Sequence, residues 1–267
     1  MNPSVLVAVP AFGSADLTDA VLSDLVRDGS HRRPEVRIVV VDNGGDYLAP
    51  EIDGSVSVYR PGRNLRWIGS ANWALQTAVD DDLDVCVVLN NDVRLSRAFL
   101  TGLTAPLADH DDVAVAASCY DDFWLHQRAK VIPPTAADYP PIPRLRDVPF
   151  CDGTAIAFAA QTVLDLGGLD AVAFPRHGYG SDIDLALRAR AAGLRCVVTE
   201  GAYVSHLRRA TMNRVGASAE ENRAEILDGL NALWGEGWRA KVGLARGSFP
   251  PHNTGSARSW YLEPERW

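Results

Sequence analysis

The chain has 267 residues, of which 47% are hydrophobic and 22% charged, and its formal net charge is −8. This composition excludes a disordered, collagenous or disulfide-scaffold chain. The acidic balance excludes a general binder of nucleic acid or of anionic membranes. The length suits one large α/β domain or two small ones.

In chain order, residues 4–10, 36–42, 55–59, 84–90 and 112–119 read as strands, because each is short, Val-rich and continuously apolar. Continuous apolar runs are what a sheet covered on both faces requires. Leu17, Val21, Leu22, Leu25 and Val26 recur at helical spacing behind Ser14, an N-cap residue type. The pattern predicts a second helix from Ile68 to Val79 and a third from Ser96 to Leu107. Strands alternating with helices predict a mostly parallel, doubly wound sheet. Residues 120–150 interrupt this rhythm with six prolines, Trp124, His126 and several arginines. A connection of that length in a compact domain is usually a functional or a disordered loop. Regular structure then resumes with a strand near 151–160, a helix to Leu166 and a stop at Gly167–Gly168. A helix from Ser181, a strand over 194–199 and an amphipathic helix over 219–234 follow. The tail from Gly247 holds Trp260, Tyr261 and Trp267, which are expected to pack on the domain or on a second subunit.

No apolar stretch approaches the length of a membrane span, and the N-terminus lacks the basic start of a signal peptide. Cys86, Cys119, Cys151 and Cys196 are far apart with no CxxC pair, in or at the ends of predicted strands. They read as reduced, buried cysteines of a cytoplasmic protein rather than disulfides or a zinc site.

In an open parallel sheet, ligands bind beyond the carboxyl ends of the strands. Three of those ends carry polar or turn-forming residues: Pro10-Ala11-Phe12, Asp42-Asn43-Gly44-Gly45 and Asn90-Asn91-Asp92. Each alone reads more simply as a turn made by its own Asp or Asn side chain; together on one rim they point to a site. Neither GxGxxG after the first strand nor GxxxxGK[ST] is present, so phosphates are not expected in a glycine-rich cradle. A carboxylate-held divalent cation is the other common way to neutralise a diphosphate, and Asp92 stands where it could hold one.

The segments VAVPAF, VVVDNGG, NLRWIGSAN, VLNNDV, CDGTAIAFAA and GYGSDIDLALRARAAG resemble, in order and spacing, family-2 glycosyltransferases of GT-A fold, over about residues 4–206. The resemblance extends to rhamnosyltransferase-like members. It implies one GT-A domain over 1–246, with a donor part over about 1–119, an acceptor part over about 120–210 and a C-terminal helix over about 219–235; the tail is 247–267. It places Pro10, Ala11, Phe12 and Asp42 along the nucleotide, with Asp42 accepting from the base. Asn64, Gly69 and Asn72 match the element that closes around nucleoside and ribose. Asn90-Asn91-Asp92 stands at the family's Asp-x-Asp motif, with Asp92 on the metal and Asn91 beside it. Asp182 matches the catalytic carboxylate, and His206 in YVSH a histidine that completes the metal site. Three positions depart from the pattern: Asn90 replaces a carboxylate, Arg66 a common Gly, and Ser181 the Glu of a Glu-Asp pair.

The residues themselves separate the two acids of SDID. Ser181 and Asp184 are spaced as a capping box, and Asp184 precedes Arg188 by four, so a structural role covers Asp184. Asp182 is left over, explained otherwise only as an anion at a helix N-terminus, where the dipole would keep it ionised and weaken it as a base. His206, as a lone histidine near a strand end, is open between packing and ligation, and nitrogen ligation suits Mn²⁺ better than Mg²⁺. Trp67 and Trp73 are open between stacking on a ligand and helix packing. Asp80–Asp84 reads as a solvated acidic loop.

The sequence therefore predicts an inverting, Mn²⁺- or Mg²⁺-assisted transfer from a nucleoside-diphosphate sugar, UDP or dTDP favoured, to a hydroxyl of a glycan or small molecule. It leaves open a homodimer and involves no nucleic acid. The alternatives are a GT-A module that binds nucleotide sugar or glycan without transfer, and a sugar-1-phosphate nucleotidylyltransferase.

Overall fold

The computed structural model describes residues 2–50, 56–122, 124–207 and 218–243. The tail expected to pack on the domain lies outside them. Nine strands form one sheet: β1 Val5–Ala11, β2 Val36–Asp42, β3 Val56–Tyr59, β4 Val85–Leu89, β5 Val93–Leu95, β6 Val113–Tyr120, β7 Leu145–Val148, β8 Ala155–Ala159 and β9 Arg195–His206. Their order is β3-β2-β1-β4-β8-β6-β9-β5, with β7 also paired to β9. The helices are α1 Ala15–Arg27, α2 Arg66–Asp80, α3 Phe99–Asp109, α4 Ala160–Asp165, α5 Ser181–Ala191, α6 Ala219–Trp234 and α7 Trp238–Lys241.

The strands β3, β2, β1 and β4 are parallel neighbours, with Ala11 level with Asp42. β8 is inserted antiparallel between β4 and β6, and β9 returns to run parallel with β6. All residues of β4 and β6 are buried, as their unbroken apolar runs require. The antiparallel β8 has a consequence for chemistry. Its amino end, not its carboxyl end, lies on the rim where β4 and β6 finish, since Leu89 pairs with Ala155.

Local signals explain the boundaries. α1 starts after Ser14, whose backbone is left-handed (φ 62°) and whose side chain makes no capping hydrogen bond. Its carbonyl instead accepts from Leu17 and Thr18. α4 ends at Gly167 and Gly168, both at positive φ, which stops a helix at low cost. α6 carries a true capping box, with Ser218 and Glu221 bonded reciprocally.

Segment 120–150, read as a functional or a disordered loop, is packed into the domain through its aromatic and arginine side chains. Trp124 is buried, edge-on to Phe150 at 4.9 Å, and His126 Nε2 bonds the Phe150 carbonyl at 3.0 Å. Burial and the Arg146 charge together push the His126 pKa down to about 3, against the opposing pull of that carbonyl, so it is a neutral packing residue. Arg146 donates to the carbonyls of His126, Gln127 and Arg128 and, with Arg144, pairs with buried Glu200. Aromatic side chains that a sequence offers to a ligand are here consumed by the core. The four cysteines are free and buried, and among the described residues no helix is long and apolar enough to cross a membrane.

Candidate active site

The carboxyl rim gathers residues from several parts of the chain. β1 ends in buried Ala11 and half-exposed Phe12, with half-buried Pro10 before them. β2 ends in Asp42, whose side chain is only 1% exposed. Its carboxylate accepts from the N–H of Gly45 at 2.7 Å and of Tyr47 at 3.0 Å, and Arg60 lies 3.3 Å away. Each carboxylate oxygen thus accepts one backbone N–H, in the Asx-type turn that the simpler reading of Asp42 expected. The neighbouring Asn43, which sequence reasoning passed over, accepts from Leu65 N–H and donates to Ser70 Oγ, tying β2 to the start of α2.

On α2, Asn64 is exposed and its Oδ1 accepts from Arg66 N–H. Gly69 is half-buried, and a Cβ there would sit 3.0 Å from Leu65 Cβ, so the glycine lets the first turn close on Leu65. Asn72 is half-buried. Its amide donates to the Leu169 carbonyl at 2.8 Å and its oxygen accepts from Leu169 N–H at 2.9 Å, a two-way strut to the segment after α4. Trp73 stacks on Tyr59 at 4.1 Å. Trp67 lies over Gly153, where any Cβ would stand 2.6 Å from the indole. For both tryptophans the packing alternative is the observed one.

Beyond β4, Asn90 N–H bonds the Thr154 carbonyl and buried Asn91 donates to Thr18 Oγ1 of α1. Asp92 is buried beside them, with its Oδ1 3.2 Å from Nε2 of His206, the last residue of β9. The other ring nitrogen, Nδ1, is 2.6 Å from Asp122 Oδ2. Burial alone would lower the His206 pKa; hydrogen bonds and charge from Asp122 and Asp92 outweigh it and raise the value to about 10. As it stands the imidazole is a cation bridging two carboxylates.

That donor set fits a divalent cation. A ligating histidine usually has its second nitrogen held by a carboxylate, which Asp122 does here, leaving Nε2 and Asp92 facing each other. Among the described residues, no cluster of three or more His, Cys, Asp or Glu is spaced to hold a metal unaided. Remaining ligands would have to come from water or from a bound substrate.

Asp182 sits in the first turn of α5, half-buried, with Oδ1 accepting from Ile183 N–H at 2.9 Å. Burial first, and then the charge of Asp152, raise its pKa to about 7; the N–H groups of Ile183 and Gly153 oppose this without prevailing. Desolvation thus outweighs the helix dipole, and the carboxyl is a stronger base than its place at a helix N-terminus suggests. Asp152, just before β8, is itself pushed up by burial, partly offset by Thr154. Asp122 and Asp152 are the site residues the sequence reading missed. Asp122 carried one available signal, an acidic pair directly after a strand.

The two acids of SDID separate as expected, though by different contacts. The N-cap of α5 is Gly180, at φ 96°, and Ser181 Oγ donates to the Gly178 carbonyl, so the predicted capping box does not form. Asp184 does pair with Arg188, at 2.7 Å, and its other oxygen accepts from Trp234 Nε1 of α6. A cleft of about 550 Å³ lies on that flank of α5, lined by Leu169, Val172, Asp184, Arg188, Leu233 and Trp234. Asp92, Asp182 and His206 are not in its lining, so the candidate chemistry lies elsewhere.

The model for glycosyl transferase family 2 matches residues 6–158, more than half of the chain. The chain belongs to glycosyl transferase family 2. Uncharacterized proteins of Mycobacterium tuberculosis and Mycobacterium bovis are 33% identical over 266 residues, covering 97% of this chain and 94% of theirs. Among solved structures, a mannosyltransferase from Pyrobaculum calidifontis in complex with GDP-Man and Mn²⁺ matches with TM-score 0.61 and 17% identity over 87% of this chain. GalNAc-T7 with UDP, GalNAc and Mn²⁺ matches with TM-score 0.58 and 13% identity over 76% of it. The chain spans 64% and 44% of those two longer proteins, and at such identities the likeness is one of fold, GT-A.

Proposed function

We propose that this family-2 glycosyltransferase is an inverting enzyme that moves a sugar from a nucleoside diphosphate, UDP or dTDP favoured, to an acceptor hydroxyl, with Asp182 as general base. The observation that carries this is a half-buried carboxyl raised to about 7, on the rim that also holds Asp92 and His206. A base with a pKa near the working pH takes a proton most effectively. Asp182 accepts the hydroxyl proton as the acceptor oxygen bonds to the anomeric carbon and the bond from that carbon to the diphosphate breaks. Asp152 keeps Asp182 from becoming too weak a base, and Phe12 and Asn64 offer exposed surface along the donor side. Asp92 and His206 would hold a divalent cation, Mn²⁺ for preference, whose charge would offset that developing on the departing diphosphate. Asp122 orients the His206 ring for that ligation.

The test is initial transfer, or donor hydrolysis without acceptor, over a panel of UDP- and dTDP-sugars with Mn²⁺. Nucleotide release from at least one sugar, abolished by EDTA, is expected. Binding of UDP with no release from any donor would instead favour a non-catalytic nucleotide-sugar module.

A further inference from the structure

Asp182 lies four residues beyond the end of a segment, Pro175–Gly178, that is held from both sides by side chains distant in sequence. On one side the Arg66 guanidinium, at the start of α2, donates to the carbonyls of Pro175 and Arg176, the latter at 2.8 Å. On the other, Glu225 of α6, 5% exposed, accepts from the N–H of Arg176 at 2.6 Å, of His177 at 3.0 Å and of Gly178 at 3.3 Å. One cation thus takes successive carbonyls of the segment and one anion takes successive amides. Such charge-assisted bonds are the strong ones, and a buried carboxylate with three donors has little freedom.

No slack separates this clamp from the acid. Gly178 packs so closely on α2 that a Cβ there would stand 2.8 Å from Ile68 Cγ1. The Gly178 carbonyl accepts from both N–H and Oγ of Ser181, and Gly180, between the two, caps α5. Further back along the same segment, Asn72 of α2 grips both peptide groups at Leu169. α2 therefore holds the approach to Asp182 at two points.

Arg66 itself carries a mark of use. Its φ is 60°, the left-handed region that favours glycine and that a long side chain occupies only at a cost. A glycine would meet that backbone requirement without strain but could not span to Pro175 and Arg176.

We propose that Arg66 and Glu225 are positioning residues that set Asp182 against the donor-binding element, so that α2 and α6 together place the base. The inference rests on the reading of Asp182 given above. Through it, the C-terminal helix becomes part of the catalytic apparatus, although it makes no contact with the reacting atoms.

The experiment uses the full chain and the variants Arg66→Gly, Arg66→Lys and Glu225→Gln. Amide hydrogen exchange is followed over residues 175–183, donor hydrolysis with Mn²⁺ is measured across the UDP- and dTDP-sugar panel, and binding is read from the thermal shift by UDP with Mn²⁺. In Arg66→Gly and Glu225→Gln, exchange in the segment should quicken by about tenfold or more as the opening free energy falls. Hydrolysis at saturating donor should fall by about tenfold or more, since small misplacements of a reacting group cost that much, while the UDP shift is retained. Arg66→Lys, which keeps a charged donor on a shorter side chain, should lie between. Unchanged exchange, or quickened exchange with wild-type hydrolysis, overturns the proposal. Arg66 is exposed, so its glycine variant carries the test even should Glu225→Gln fail to fold. Wild-type protein that releases no nucleotide from any sugar sinks the transferase reading instead, and the exchange result then decides the clamp by itself.

Discussion

Asp182 is the residue on which the proposed chemistry turns, and its environment makes the proposal testable. Asp182→Asn keeps the shape and removes the proton acceptor, so UDP binding should survive while transfer falls by about 10²–10⁴-fold. A variant retaining more than about a tenth of wild-type turnover would reject the assignment. The pH dependence has a definite sign. Asp182 must be ionised to act and titrates at about 7, so turnover should climb as pH rises through that value. Asp152 raises that value as a neighbouring negative charge; Asp152→Asn should let Asp182 ionise more readily and move the acidic limb of the pH–rate profile to lower pH. A limb that stays in place would show that burial alone sets the basicity. The second acid, Asp184, belongs to the fold. Asp184→Ala strips Arg188 and Trp234 of a shared buried partner, a change worth about 3 kcal/mol of stability, read from the denaturant midpoint. The same variant should bind UDP as the wild type does once folded.

At the scale of elements, most of the architecture was legible because both periodicities are clean. The buried strands β1, β2, β4 and β6 announce themselves as unbroken apolar runs, and α2 and α6 by their spacing. Three features were not legible, each for a physical reason. β7 is a four-residue strand, Leu-Arg-Asp-Val, too short and too charged to rise above its proline-rich surroundings. β9 runs on to His206 through a Glu-Gly irregularity, so the sequence reading stops it at 199 and leaves His206 as a lone residue. The direction of β8 is set by tertiary pairing, which leaves no local mark. Yet that direction decides that Asp152, ahead of a strand, stands on the ligand rim rather than the opposite one. The motif positions did foreshadow that Asp92 and His206 stand together, 3.2 Å apart. They carried no sign that Asp42 and Asn72 bond peptide groups in this conformation. Polar side chains near rigid backbone are often spent that way, and spacing alone does not say which.

For the molecule as a whole, the Asp92–His206–Asp122 arrangement links folding, protons and metal. His206 titrates at about 10 when folded against 6.5 as a free side chain. A raised value means the histidine's contribution to stability is complete below about 6.5 and is lost as pH rises through about 10. Asp182 acts in the same direction over a lower window: its value is raised from 3.8 to about 7, so protonation of its buried carboxyl favours the fold only until pH passes that point. Metal-free protein should therefore lose stability steadily from pH 6 to pH 10, as far as these two groups govern it. A cation at Nε2 must displace the proton, so metal affinity should grow with pH over the same interval. The whole-molecule readout is the stabilisation by UDP with Mn²⁺, worth roughly 2.7 kcal/mol when ligand is at about a hundred times its dissociation constant. It should be larger at pH 8 than at pH 6, and Asp92→Ala should abolish its metal-dependent part at both. His206→Ala should weaken binding less but erase the pH trend, because the competing proton is gone. If the Mn²⁺-dependent shift persists in Asp92→Ala, the cation is held elsewhere. If the pH trend persists in His206→Ala, the imidazole is a packing residue and the proton belongs to another group.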